Sequence, residues 1–92
     1  MYMRVTRGSC DPAIADDVVK ATHAVSDQIR RQPGYQSLQG GVDRTAGAII
    51  VVSTWDSEQA ANFPREALGD AFQQLVALGV QLDPAAIYEA TE

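Results

Sequence analysis

Residues Ile49-Ile50-Val51-Val52-Ser53-Thr54-Trp55-Asp56-Ser57-Glu58-Gln59-Ala60 carry an apolar strand into the only tryptophan of the chain and then into a helix start. With the period of two that a strand imposes, Ile49 and Val51 point to one side, Ile50 and Val52 to the other, and all are apolar. A sheet with helices on one face and water on the other alternates apolar with polar residues. This strand does not alternate, so both of its faces are expected to be covered. Behind Trp55, Asp56-Ser57 supplies a helix N-cap, with Glu58 and Gln59 in the first turn.

Upstream of this stretch, Tyr2 to Ser9 contains Met3, Val5 and Thr6 and reads as a first strand, stopped by Cys10-Asp11-Pro12. Asp11 as N-cap and Pro12 at the first helical position open a helix. Ile14, Val18, Ala21, Val25 and Ile29 make its apolar stripe, and Arg30-Arg31 suit its C-terminal end. Gln32-Pro33-Gly34 turns the chain into a second strand, Tyr35 to Asp43, where Gly40-Gly41 predicts a bulge or the close approach of another backbone. Asp43 to Gly47 forms a hairpin turn into the third strand, Ala48 to Trp55.

The second helix, opened at Ser57, is expected to kink or restart at Pro64, which removes an interior hydrogen bond. Leu68, Ala71, Phe72, Leu75 and Val76 continue it as an amphipathic stripe up to Gly79, and a last strand runs from about Ala86 to Thr91. The order is βαββαβ. It predicts a single α+β domain over residues 1–92, a ferredoxin-like sandwich with a four-stranded antiparallel sheet and two helices on one face. The doubly apolar third strand then calls for a third layer. A second copy of the same sheet supplies it, so the expected assembly is a homodimer through sheet faces.

Ninety-two residues at 46% hydrophobic and 21% charged describe an ordinary globular chain, and no apolar run is long enough for a membrane span. The N-terminus, Met-Tyr-Met-Arg-Val-Thr-Arg, is too polar for a signal peptide and predicts a cytoplasmic protein. A net charge of −5 argues against nucleic acid as a partner. Cys10 is the only cysteine, without an internal disulfide partner, and no metal-ligand spacing, phosphate loop or nucleophile motif is present.

Pro33-Gly34-Tyr35 after the first helix, Trp55-Asp56-Ser57-Glu58-Gln59-Ala60 after the third strand, and the element order across essentially the whole chain resemble the antibiotic biosynthesis monooxygenase family. The resemblance implies a dimeric α+β barrel and, as function, a cofactor-independent monooxygenase acting on an aromatic or quinol-like small molecule. No cofactor is then expected. In anthrone-oxidising members the tryptophan matched by Trp55 belongs to the active site, with an asparagine four residues before it and a tyrosine six after it. Val51 and Ala61 stand at those two places. The haem-degrading members' set is likewise missing, with Asn62 the only asparagine of the second helix. The alternative is a non-catalytic dimeric module of the same fold that binds a hydrophobic ligand or a partner protein.

The substrate-binding candidates are Trp55, Arg4, Tyr88, Phe72 and Val51. Trp55 shares a strand face with Ile49 and Val51, and near Phe63 and Phe72 it serves either as a pocket wall or as core. Arg4, on the face of Tyr2 and Thr6, either presents its guanidinium to an anionic or phenolate group or pairs with an acid such as Glu89. Tyr88 on the last strand is read with Arg4 as a polar end of the pocket. His23, the only histidine, falls opposite the apolar stripe of its helix and therefore in solvent. Asp16 and Asp17 are accounted for by the helix dipole.

Overall fold

The computed structural model describes all 92 residues. Strand β1 (Tyr2–Ser9) passes through one 3₁₀ turn (Pro12–Ile14) into helix α1 (Ala15–Ile29). Strands β2 (Tyr35–Asp43) and β3 (Ala48–Trp55) form a hairpin. Helix α2 (Glu58–Ala61), a second 3₁₀ turn (Arg65–Leu68) and helix α3 (Asp70–Ala77) follow, and β4 (Gln81–Leu82) and β5 (Ala86–Glu89) end the chain.

Local chemistry sets these boundaries. The Asp11 carboxylate accepts the Ala13 N–H at 2.9 Å ahead of Pro12, and the Ser57 hydroxyl accepts the Ala60 N–H at 3.1 Å at the head of α2. Gly47 closes the hairpin at φ 69°, where a Cβ would stand 2.1 Å from the Cys10 carbonyl oxygen, and its own carbonyl accepts the Cys10 N–H at 2.7 Å. Cys10 is thereby part of a turn.

The sheet is antiparallel, ordered β2-β3-β1, with β4 and β5 sharing the far edge of β1. Here the expectation of four strands and two helices is corrected: there are five strands and three helices. β5 pairs with Tyr2 to Val5 and β4 with Gly8 and Ser9, so together they fill the place of one edge strand. The interruption falls at Asp83-Pro84-Ala85, where proline has no N–H to give the ladder. Pro64 divides the second helix in the same way, and the restart at α3 is the one its sequence predicts.

All helices lie on one face of the sheet. Val18, Val25 and Ile29 from α1, Leu68 and Leu75 around α3, and Ile49, Trp55 and Phe63 form the core there. Val76, assigned to the apolar stripe by spacing, is instead 49% exposed, because α3 is only two turns long and leans on α1 with its Ala71–Leu75 side. The opposite face carries Met3 and Val5 of β1, Ile50 and Val52 of β3, and Ala86 and Tyr88 of β5. Val5 is buried between its cross-strand partners Val52 and Ala86, while Tyr88 stands 49% exposed. The molecule is 18 Å thick in its shortest dimension, room for this sheet and one helix layer, so the apolar outer face has nothing above it within the chain. No helix is long and apolar enough to cross a membrane.

Candidate functional site

Register brings the site residues into rows on the helix-facing side of the sheet. Arg4 stands between Ile87 of β5 and Ser53 of β3, with Leu38 of β2 beyond; the next row is Thr6, Val51 and Gly40. Arg4 is thus a cation at the centre of the central strand, 7% exposed. Such a charge needs partners. Its Nη1 donates to the Ala61 carbonyl at 3.0 Å and to the Phe63 carbonyl at 2.8 Å, and its guanidinium lies 3.9 Å from the centre of the Phe63 ring. Both carbonyls are at the end of α2, where the helix stops short of Pro64 and leaves its last acceptors unused. Glu89, the acid considered for Arg4 from sequence, pairs instead with Tyr2 in the ladder and makes no ion pair with Arg4.

An apolar pocket of about 40 Å³ opens beside Arg4 between sheet and helices. Thr6, Val51 and Ser53 form its floor, Thr22, Val25 and Ile29 of α1 one wall, and Phe63, Arg65, Leu68 and Phe72 the other. It adjoins a groove of about 520 Å³ between α1 and the hairpin, with which it shares Thr22, Ile49 and Val51. The groove exists because β2 places Gly40 opposite Val51: without a side chain, the edge strand leaves the gap under α1 open. His23, Asp27 and Arg30 rim its mouth, and His23 is exposed, as its position on α1 predicts. Groove volume lies within the range of small-molecule sites, roughly 300–1,000 Å³.

Arg65 is the second cation of the pocket. Its guanidinium lies 5.7 Å from the centre of the Phe72 ring, and its Nη2 donates to the Asp83 carbonyl. No carboxylate lines the pocket. Burial, and after it the charge of Arg65, draws the pKa of Arg4 below the ordinary arginine value. An arginine still keeps its proton throughout the working range.

Of the sequence candidates, Arg4, Val51 and Phe72 meet at this pocket. Trp55 does not line it. The indole is fully buried, edge-on to Tyr35 at 6.0 Å and tilted against Phe63 at 5.1 Å, and its Nε1–H donates to the Ser53 hydroxyl at 2.8 Å. Of the two readings left open for it, core is the one the packing bears out. Tyr88 is corrected outright: its register with Met3 puts it on the outer face, so it cannot join Arg4, because neighbours along a strand point to opposite sides. Arg65 and Gly40 are the residues sequence reasoning missed. Arg65 follows the helix-breaking Pro64 and carried no periodic signal, while Gly40 was read with Gly41 as a bulge or a close backbone approach; the register runs unbroken through both, and the irregularity of β2 lies between Tyr35 and Ser37.

The two segments that carry the family resemblance touch each other. Tyr35 is the cross-strand partner of Trp55, and the Gly34 carbonyl accepts the Asp56 N–H at 3.0 Å. Gly34, at φ 84°, sits so close that a Cβ would meet the Ala60 Cβ at 2.6 Å. Pro33-Gly34-Tyr35 and Trp55-Asp56-Ser57 are therefore a clasp that fixes the end of the hairpin to the start of α2. Nearby Ala61 is fully buried.

No protein-family model matches the sequence, and no curated protein matches it. Solved structures do. A protein of Deinococcus radiodurans described as an antibiotic biosynthesis monooxygenase is 20% identical, covers 100% of this chain and 94% of its own, and superposes with a TM-score of 0.76. SnoaB, a cofactor-independent oxygenase of Streptomyces nogalater, is 19% identical over 99% of this chain and 93% of its own, with a TM-score of 0.71. The monooxygenase from the gene ActVA-Orf6 of Streptomyces coelicolor, solved with the ligand nanaomycin D, is 25% identical over 99% of this chain and 88% of its own, with a TM-score of 0.72. The chain has the fold of the antibiotic biosynthesis monooxygenases.

Proposed function

We propose that the chain is a small monooxygenase, independent of any cofactor, that takes a flat aromatic or quinol-like molecule into the cleft between α1, α3 and the sheet. One observation carries this reading: a groove of mixed lining adjoins, through Thr22, Ile49 and Val51, an inner pocket that is mostly apolar, carries two arginines and holds no acid. Leu38, Ile49 and Val51 offer the groove an apolar sheet floor on which a ring can lie flat. The cofactor-independent oxygenase and the nanaomycin D complex among the structural relatives support the reaction class.

The reaction would be driven by the substrate. A ring methylene acidified by neighbouring oxygens loses a proton, and the resulting electron-rich anion passes electrons to dioxygen. A carbon–oxygen bond forms, and the peroxide then loses water, so that CH₂ and O₂ become C=O and H₂O. The chain's part is to desolvate and orient the substrate and to stabilise its charge.

Assembly belongs to the same proposal: two copies associate through the outer sheet faces, burying Ile50, Val52 and Tyr88. A second reading, a non-catalytic dimeric module holding a hydrophobic ligand, draws on Val51 and on the buried Ala61, which leave the cleft without the polar pair of the anthrone-oxidising relatives.

Oxygen uptake in the presence of a panel of quinols and anthrones separates the two. The enzyme reading expects consumption above the spontaneous rate, abolished by Gly40→Val, which narrows the cleft. Binding of the same compounds with no added uptake would leave only the ligand-holding module.

A further inference from the structure

The inner pocket contains an arrangement that structural needs alone do not account for. Arg4 has five N–H donors in a fixed fork. Two of them, both on Nη1, are spent on the Ala61 and Phe63 carbonyls. The three on Nε and Nη2 have no acceptor in the chain, yet neither atom is sealed away, since no buried side-chain nitrogen is left without a partner. Arg4 lines the pocket, where such donors can meet a ligand. Beside them stands Arg65, bound only through Nη2 to the Asp83 carbonyl, on a protein whose net charge is −5. Twelve acids are available in the chain, and none lines this pocket. A clamp holding the end of α2 would need the Nη1 end of one arginine. It would not need a second cation, nor the exclusion of every carboxylate.

Resting on the cleft assigned above, we propose that Arg4 and Arg65 form a two-point oxyanion subsite, which makes the ligand a planar aromatic compound bearing an ionised oxygen substituent, a phenolate, an enolate or a carboxylate. Two unfavourable terms at the pocket, the desolvated charge on Arg4 and its repulsion with Arg65, would both be relieved by an anion. The free fork of Arg4 gives a bidentate contact, and Phe63 and Phe72, which each lie against one of the guanidinium groups, keep the two cations in place around the oxygen substituent. At about 40 Å³ the pocket admits the oxygen substituent alone, so the ring lies outward over Val51 and Thr22 into the larger groove. Affinity should follow the ligand's own ionisation and be flat above it, because both arginines stay charged.

Isothermal titration with matched pairs tests this. One pair is lawsone, a hydroxynaphthoquinone that is an anion at neutral pH, against its neutral methyl ether; the other is naphthoate against naphthamide. The full-length protein should prefer the anion by about tenfold or more in at least one pair, the contribution of a single charge-assisted hydrogen bond. A preference in one pair alone upholds the subsite and tells enolate from carboxylate. Arg65→Met should cut that preference several-fold, Arg4→Lys should cut it further while keeping the charge, and Arg4→Gln should bring the members of a pair near parity. Should Arg4→Gln not fold, Arg65→Met and Arg4→Lys decide. Equal affinity within both pairs, or a preference untouched by Arg65→Met and Arg4→Lys, overturns the subsite. Anion preference without oxygen uptake sinks only the oxygenase reading; uptake without anion preference sinks only this one.

Discussion

Trp55 illustrates how one residue can carry a family signature and sit fully inside the packed core. Its indole fills the space between Tyr35 and Phe63, and its one polar atom is satisfied by Ser53. Replacing it with Phe removes that hydrogen bond and part of the ring, and urea unfolding should show a loss of about 1–3 kcal/mol while ligand affinity changes little. Gly34 makes the complementary case, since its φ of 84° and the nearness of Ala60 leave no room for a side chain. Gly34→Ala should cost at least about 1 kcal/mol and lower the melting temperature, which thermal unfolding followed by circular dichroism measures. The motif was therefore legible from sequence as a marker of fold, while the contact between its two segments appears only in the structure. Its chemistry was not legible, because the same tryptophan suits a core and a pocket equally until its neighbours are known.

Elements explain where reading by pattern held and where it slipped. Helix α1 and strand β3 have long, strongly periodic or continuously apolar runs, and they form where those runs lie. Prolines mark both interruptions, the break of the second helix at Pro64, which was expected, and the split of the last edge strand at Pro84, which was not; a proline reports the interruption without saying how the freed backbone groups will be satisfied. At Pro64 the answer is Arg4, a residue nearly sixty positions away in the chain, which no local pattern could reveal. Ser57, by contrast, caps α2 with a purely local bond. Ser57→Ala should destabilise the protein by about 1 kcal/mol in a denaturant titration, and Ser57→Gly by only a few tenths. The paired glycines of β2 also divide by face. Gly40 borders the cleft, and a Cβ there meets nothing closer than the Ile50 carbonyl at 3.7 Å; Gly41 faces outward against Ile50. Gly40→Val should thus leave the fold intact and weaken ligand binding at least about tenfold in the calorimeter, a separation that a purely structural glycine would not give.

At the scale of the molecule, the argument from β3 concerns its outer side. Ile50 and Val52 lie with Val5 and Tyr88 on a face that no helix covers, and two facing sheets would enclose them. Light scattering at micromolar concentration should give twice the mass of the chain, and Val52→Lys should return it to the mass of one, with the circular dichroism of the fold preserved. Along the same strand, Ile49 and Val51 line the cleft. On the function and assembly proposed, alternate residues of a single β-strand would serve ligand and partner. If an occupant settles β3, the gain would be shared with self-association, and linkage would make the exchange reciprocal. Apparent ligand affinity should then rise with protein concentration, and dilution should release the ligand as well as the second subunit.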